Sequence, residues 1–361
     1  MDIAKESPCP LMLGAGEFER FSKEADFVGT IVLVTSEGMV RRGVIDVLKT
    51  RFHGQMEVVT VQSNPTLERL EGLSKSLAGL SQVHLIALGG GSVLDAAKVL
   101  SIILHPNNRQ ASLTKILRNA APFVEKRIPL IAIPTTSGTG AEVTPFATVW
   151  DTELQRKRSL ASSCMEPDLI ILDPDLTMSA PLEVTTFCAM DACSHALESL
   201  WNKRATSASI SYAMMALGLF VDSFEKLMFN LQDRESRSKM QLASFWSGLA
   251  IRQTRTAIAH SISYPLTLRY GVPHGLACSF LLPQIINLVT KLDAWPMAVD
   301  QDLINRVKDI LQKADLGKKV ERYFDISQIK SLGEGLVTPG RSDNFVLPFE
   351  LVFETVLQKQ Q

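Results

Sequence analysis

The chain has 361 residues, 46% hydrophobic and 21% charged, with 37 basic residues against 38 acidic ones and a net charge of −1. That length exceeds one domain of about 100 to 200 residues and predicts two, each with a buried core. The balanced charge argues against a nucleic-acid partner, and the composition against a disordered or fibrous chain. The opening residues, Met1-Asp-Ile-Ala-Lys-Glu6, lack the charged and apolar regions of an export signal. No run of about 18 uninterrupted apolar residues signals a membrane span. The expectation is a cytoplasmic protein with no membrane partner. Five cysteines (Cys9, Cys164, Cys188, Cys193 and Cys278) contain no C-x-x-C pair and read as reduced thiols, mostly small buried hydrophobes.

Short β-branched runs at 31–35, 58–61, 84–88, 130–133 and 169–172 alternate with longer helical patterns. Nearly continuous apolar character in each run suits strands covered on both faces, so the first half predicts a doubly wound α/β domain with a parallel sheet. After Asp173-Pro-Asp-Leu-Thr-Met-Ser-Ala-Pro181 such runs stop, and 183–203, 207–230 and 237–261 read as helices. The boundary falls near residue 177, between an α/β domain over 1–177 and an all-helical domain over 178–361.

The run at 84–88 leads into Gly89-Gly90-Gly91-Ser92 and then an apolar periodic stretch through Asp95 and Lys98. A strand, a glycine turn and a helix N-terminus together make an anion site, because glycine lets backbone N–H groups approach a pyrophosphate closely. The spacing is not G-x-G-x-x-G, and Ser92-x-x-Asp95 also reads as a capping box. A second small-residue turn, Pro134-Thr-Thr-Ser-Gly-Thr-Gly-Ala-Glu-Val-Thr144, follows the run at 130–133. Two such turns after neighbouring strands favour a nucleotide cofactor.

Asp191 and His195 stand at i and i+4, one face of a helix, where they are able to grip one ion. His260 closes a helical pattern, and His274 sits in the turn Gly271-Val-Pro-His-Gly275. One carboxylate oxygen and three imidazole nitrogens suit a borderline divalent cation such as Fe²⁺ or Zn²⁺ and disfavour Ca²⁺ or Mg²⁺.

Gly-Gly-Gly-Ser-x-x-Asp-x-x-Lys (89–98), Pro-Thr-Thr-Ser-Gly-Thr-Gly-x-Glu-Val-Thr (134–144), Met-Asp-x-x-x-His (190–195) and the His260 to His274 spacing resemble the iron-containing, group III alcohol dehydrogenases over roughly residues 10 to 290. The resemblance implies a dehydroquinate synthase-like architecture: a Rossmann-like nucleotide-binding domain, an all-helical catalytic domain and a metal in the cleft between them. It makes Asp191, His195, His260 and His274 metal ligands, with Fe²⁺ as the ion and Zn²⁺ the alternative. It assigns the pyrophosphate of NAD(H) or NADP(H) to Gly89, Gly90, Gly91 and Ser92. Asp95, Thr135, Thr136, Ser137, Thr139 and Lys157 contribute to the same cofactor site.

Three departures carry information. Many members have a second histidine where this chain has Tyr264, a poorer acid–base switch at neutral pH. Arg255, with Arg252 one turn earlier, replaces small or apolar residues and offers a forked receptor for phosphonate, phosphate or carboxylate. Ser36 stands where an aspartate in many relatives binds the ribose; with Arg41 and Arg42 following it leans to NADP(H), while Glu37 could restore NAD(H). The combination resembles the phosphonoacetaldehyde reductase branch, which makes 2-hydroxyethylphosphonate. The expected substrate is therefore a small aldehyde or alcohol, and a homodimer is the default assembly. Competing readings are a primary alcohol dehydrogenase on neutral substrates, a glycerol-1-phosphate dehydrogenase-like or dehydroquinate synthase-like enzyme, and a cofactor-binding protein without chemistry.

Overall fold

The five apolar runs become strands of one six-stranded parallel sheet. In chain order the strands are β1 (Leu11–Leu13), β2 (Thr30–Thr35), β3 (Gln55–Thr60), β4 (Val83–Gly89), β5 (Leu130–Pro134), β6 (Phe146–Asp151), β7 (Arg156–Ala161) and β8 (Leu169–Leu172). The sheet runs β1-β8-β5-β4-β2-β3, and β6 and β7 form a separate antiparallel hairpin. This computed structural model describes residues 1–354 apart from 53, 120, 155 and 338–339. The central strands β2, β4 and β5 are almost wholly buried, so their sequences are continuously apolar. β3 begins three residues before the run that predicts it, because an edge strand exposes polar side chains and breaks the apolar pattern. β1, three residues long, and the charged hairpin strand β7 carry no such pattern and are not expected from sequence.

The chain forms two compact units, residues 1–136 with 141–179, and residues 137–140 with 180–361. In the first unit Ile31, Leu33, Ile86, Leu88, Ile131, Ile133 and Ile171 pack against Phe18 and Phe21 of α1 (Glu17–Glu24) and Leu48 of α2 (Asp46–Arg51). Helix α3 (Gly91–Ile103) starts at the end of β4 and packs against β2, β4 and β5.

In the second unit α4 (Leu182–Leu200), α5 (Ser207–Phe229) and α6 (Arg234–Thr254) pack pairwise. Helix α5 is long and apolar enough to cross a membrane by length and composition alone, yet half of its apolar window is buried inside the protein. The sequence pattern extends one helix to residue 261, but the structure breaks it. Arg255 adopts φ 64° and ψ 172°, and a new helix, α7 (Ile258–Tyr270), begins three residues later. His260 therefore lies in the first turn of α7 rather than at the end of the preceding helix. The break is held from three sides: Asn202 Nδ2 and Thr254 Oγ1 both donate to the Arg255 carbonyl at 3.2 and 2.9 Å, and Asn344 Nδ2 donates to Thr256 O at 2.8 Å.

A positive φ with extended ψ is a region that essentially only glycine enters freely. Replacing Arg255 by glycine should therefore raise stability by roughly 1 kcal/mol, seen as a higher melting temperature in calorimetry. A lower melting temperature would mean that the side chain stabilises the fold by more than its backbone strains it.

Candidate functional site

The parallel sheet places three turns side by side at its carboxyl edge. β2 pairs with β4 (Thr35 opposite Leu88) and β4 with β5 (Gly89 opposite Pro134), so Ser36, Gly89–Gly91 and Thr135–Thr136 follow three adjacent strands. Gly90 is the N-cap of α3 and has no side-chain cap, which leaves the start of this helix to its backbone donors. A Cβ on Gly89 would meet Val93 at 2.6 Å, and one on Gly90 would stand 3.1 Å from Thr136 Oγ1. The glycines are thus needed for close packing of turn on helix and of one turn on the next. Thr135 N donates to Gly89 O at 3.0 Å and fastens the two turns together.

The capping-box reading fails. Ser92 lies inside the first turn, where its hydroxyl accepts from Asn64 N at 3.1 Å, while Asp95 Oδ2 accepts from Thr148 N at 2.9 Å. Lys98 is fully buried, and its ammonium donates to Thr144 O, Thr144 Oγ1 and Phe146 O at 2.7 to 3.1 Å. Asp95 and Lys98 so clamp α3 to the loop and hairpin beyond it. Lys157, on β7, lies over the Trp150 ring at 5.5 Å. Ser36 caps the short helix after β2, accepting from Met39 N at 3.3 Å.

Ser137 and Thr139 belong to the second unit. The glycines between and after them serve packing: a Cβ on Gly138 would meet Cys188 at 2.8 Å, and one on Gly140, at φ +58°, would collide with Gly248.

The four residues expected to hold a metal converge on one oxygen. Nε2 of His195, His260 and His274 lies 3.6, 3.3 and 3.9 Å from Asp191 Oδ1. Asp191 and His195 share the buried face of α4, one helical turn apart. His274 opens α8 (His274–Ala277), a single turn seated so closely on α4 that a Cβ on Gly275 would collide with the Phe187 backbone. The rings of His195 and His260 stack at 4.6 Å, and His274 meets His260 edge-on at 5.2 Å. Asp191, His195 and His260 are buried, whereas the His274 side chain is 27% exposed, so the cluster opens on the His274 side. Tyr264, one turn after His260 on α7, stacks on the His274 ring at 6.1 Å.

Two residues that sequence reading passed over complete this centre. Glu198, fully buried on α4, receives Ala257 N (3.0 Å), Ala259 N (2.6 Å), His260 N (3.2 Å) and His260 Nδ1 (2.7 Å). A carboxylate has only lone pairs to offer, so Nδ1 carries the proton and Nε2 is turned toward Asp191. Cys278, the C-cap of α8, places Sγ 3.4 Å from Asp191 Oδ1. The ligand atoms of Asp191, His260, His274 and Cys278 all lie within 4.8 Å of one another. Both residues had a signal, since Glu198 extends the 191, 195 helical face by a further turn and Cys278 is four residues after His274.

The electrostatics favour a cation. Burial alone would raise the Asp191 carboxyl, but the imidazoles around it hold it well below the usual carboxylate range. Burial disfavours charging His260, yet Glu198 and Asp191 outweigh it and lift the imidazole to about 10; burial lowers His195 to about 4. Two buried carboxylates thus face each other across one histidine. His260 Nε2 makes no hydrogen bond of good geometry to any described residue, although it stands 3.3 Å from Asp191. A buried nitrogen so placed, beside an ionised carboxylate and two more imidazoles, fits a borderline divalent ion of the iron or zinc type.

Arg255 is half-buried, which lowers its pKa, and Arg341 and Arg204 lower it further. The helix break removes the continuous helical path that sequence reading drew from Arg252 and Arg255 to His260; Arg252 ends in α6 and Arg255 in the break itself.

Residues 8–174 match the iron-containing alcohol dehydrogenase family model, and residues 185–338 match that of the C-terminal part of the Fe-containing alcohol dehydrogenases. Phosphonoacetaldehyde reductase of Streptomyces viridochromogenes is 33% identical over 233 residues, covering 63% of this chain and 59% of that protein. Sulfoacetaldehyde reductase of Bilophila wadsworthia is 30% identical over 275 residues, covering 74% and 70%. The chain spans about three fifths of the length of the first curated relatives it matches. Among solved structures, sulfoacetaldehyde reductase from Bifidobacterium kashiwanohense in complex with NAD⁺ superimposes with a TM-score of 0.82 over 98% of both chains at 24% identity, a likeness of fold. With both halves matched in order, and a relative at 30% identity covered over 70% of its length, the chain belongs to the iron-containing alcohol dehydrogenase family.

Proposed function

We propose that this chain is a metal-dependent, NAD(P)(H)-linked reductase of small aldehydes, acting on an anionic aldehyde such as phosphonoacetaldehyde. Asp191, His195, His260 and His274 are the metal ligands in this reading. The observation that carries it is the approach of three imidazole Nε2 atoms to within 3.3 to 3.9 Å of one carboxylate oxygen. When bound, the ion polarises a carbonyl as a Lewis acid and the reduced nicotinamide supplies hydride, so no protein nucleophile is required.

The chain's residues position and insulate. Glu198 fixes the ring of His260, and Tyr264 backs that of His274 and offers a hydroxyl to a substrate oxygen. Gly89, Gly90, Gly91 and Ser92 receive the dinucleotide phosphates at the start of α3, with Thr135 and Thr136 on the adjoining turn. Asp95 and Lys157 belong to the same proposed cofactor site. Ser36, in place of an acidic residue after β2, leans the choice to NADP(H).

Two features support an anionic substrate. The relatives named phosphonoacetaldehyde and sulfoacetaldehyde reductase share a negatively charged head group on a short aldehyde. Arg255 is kept at a backbone position that favours glycine, and strain of this kind persists where the side chain has a use. Its neighbours Arg204 and Arg341 add positive charge suited to a phosphonate.

The deciding assay offers Fe²⁺-reconstituted protein NADPH or NADH with phosphonoacetaldehyde, sulfoacetaldehyde and propanal. Preference for the anionic aldehydes is expected, and equal or faster turnover of propanal would make the protein a general alcohol dehydrogenase. Arg255→Ala should raise KM for phosphonoacetaldehyde by roughly ten-fold or more, the loss of a charge-assisted hydrogen bond, while leaving KM for propanal nearly unchanged. Asp191→Ala and His195→Ala should each abolish ion retention and turnover but keep dinucleotide binding in fluorescence titration; normal metal-free turnover by His195→Ala would end the mechanism. Glu198→Gln should weaken metal binding roughly 10- to 100-fold in chelator competition, as for other residues that orient a ligand.

A further inference from the structure

We propose that Cys278 is a fifth, sulfur ligand of this metal centre, bound as a thiolate beside Asp191, His260 and His274. The inference rests on the metal-centre reading above and assigns to this chain a soft donor in addition to one oxygen and three nitrogens. The sulfur is placed rather than loosely adjacent. Cys278 follows His274 by four residues across the single turn of α8, so both side chains leave the same face. That turn is locked onto α4, because Gly275 leaves no room against Phe187 and Ser194 Oγ donates to Cys278 O at 3.1 Å. The cysteine is 1% exposed, out of reach of solvent.

The spacing matches coordination to a shared ion. Metal–oxygen and metal–sulfur bonds of about 2.0–2.2 and 2.3 Å, subtending between about 90° and 109°, hold the oxygen and sulfur about 3.0 to 3.7 Å apart. Sγ stands 3.4 Å from Asp191 Oδ1, and the four donor atoms of this set share a space 4.8 Å across. On binding, the S–H bond is exchanged for a metal–sulfur bond and the proton leaves to solvent; no electron is transferred. A thiolate among nitrogen and oxygen donors shifts the preference of the site toward zinc.

The same 3.4 Å also fits a thiol that only donates a hydrogen bond to Asp191, and spectroscopy separates the two. In zinc-loaded protein, X-ray absorption should show a sulfur scatterer at about 2.3 Å beside a nitrogen and oxygen shell at about 2.0–2.2 Å. Cobalt(II)-substituted protein should show an intense near-ultraviolet sulfur-to-metal charge-transfer band. Both signals should vanish in Cys278→Ser and Cys278→Ala, which still hold the ion through the other four residues. A shell of nitrogen and oxygen alone in the unaltered protein, or cobalt spectra identical with and without the thiol, would overturn the assignment and leave Cys278 as a hydrogen-bond donor. Protein that retains no ion would overturn the metal-centre reading and this inference with it.

Discussion

One buried carboxylate organises the helical unit. Glu198 has no exposed surface, and an ionised group so placed is tolerable only when every lone pair is used. Its two oxygens take three backbone N–H groups from the start of α7 and the ring Nδ1 of His260. Helix α7 has no side-chain cap of its own, since Ala257 stands at its N-cap, so a carboxylate from α4 satisfies its first donors and meets the positive end of its dipole. The same contact sets which nitrogen of His260 carries the proton and where the other points. Helix placement and the orientation of the His260 ring are therefore one interaction.

The break at Arg255 is what makes that contact geometrically available. Had α6 continued through residue 261 as its apolar pattern suggests, the N–H groups of Ala257, Ala259 and His260 would have been consumed in α-helical bonds to carbonyls four residues earlier. Interrupting the helix frees them to face Glu198. Backbone strain at Arg255, and the hydrogen bonds from Asn202, Thr254 and Asn344 that stabilise the bend, are the cost of presenting His260 in a first turn.

In the α/β unit the corresponding constraint is close approach. Parallel strands β2, β4 and β5 end at one edge, and the side-chain-free surfaces of Gly89 and Gly90 let the following turns and α3 pack on one another. Lys98 is buried beneath this arrangement and tolerable because three oxygens receive its ammonium. Gly138 and Gly140 belong to the helical unit and are required there by the backbone of neighbouring helices of that unit, so one short sequence motif answers to different packing demands along its length.

Local pattern was enough to determine the class of the fold. Continuous apolar runs mark strands covered on both faces, and 3.6-residue periodicity marks the helices that follow Pro181, because both signals report burial of whole elements. The i, i+4 pairing of Asp191 and His195 was legible for the same reason. Two strands were not: β1 is too short and β7 too charged to carry a pattern, whereas the edge strand β3 shows one only over its second half. Nor could the sequence show that the helix ends at Arg255, because two tertiary hydrogen bonds, from Asn202 and Asn344, override a favourable local propensity there. The convergence of His260, His274 and Cys278 on Asp191, and the double role of Glu198, were decided by packing among α4, α7 and α8. Such contacts join residues 59 to 87 positions apart, a separation over which no periodicity in sequence carries information.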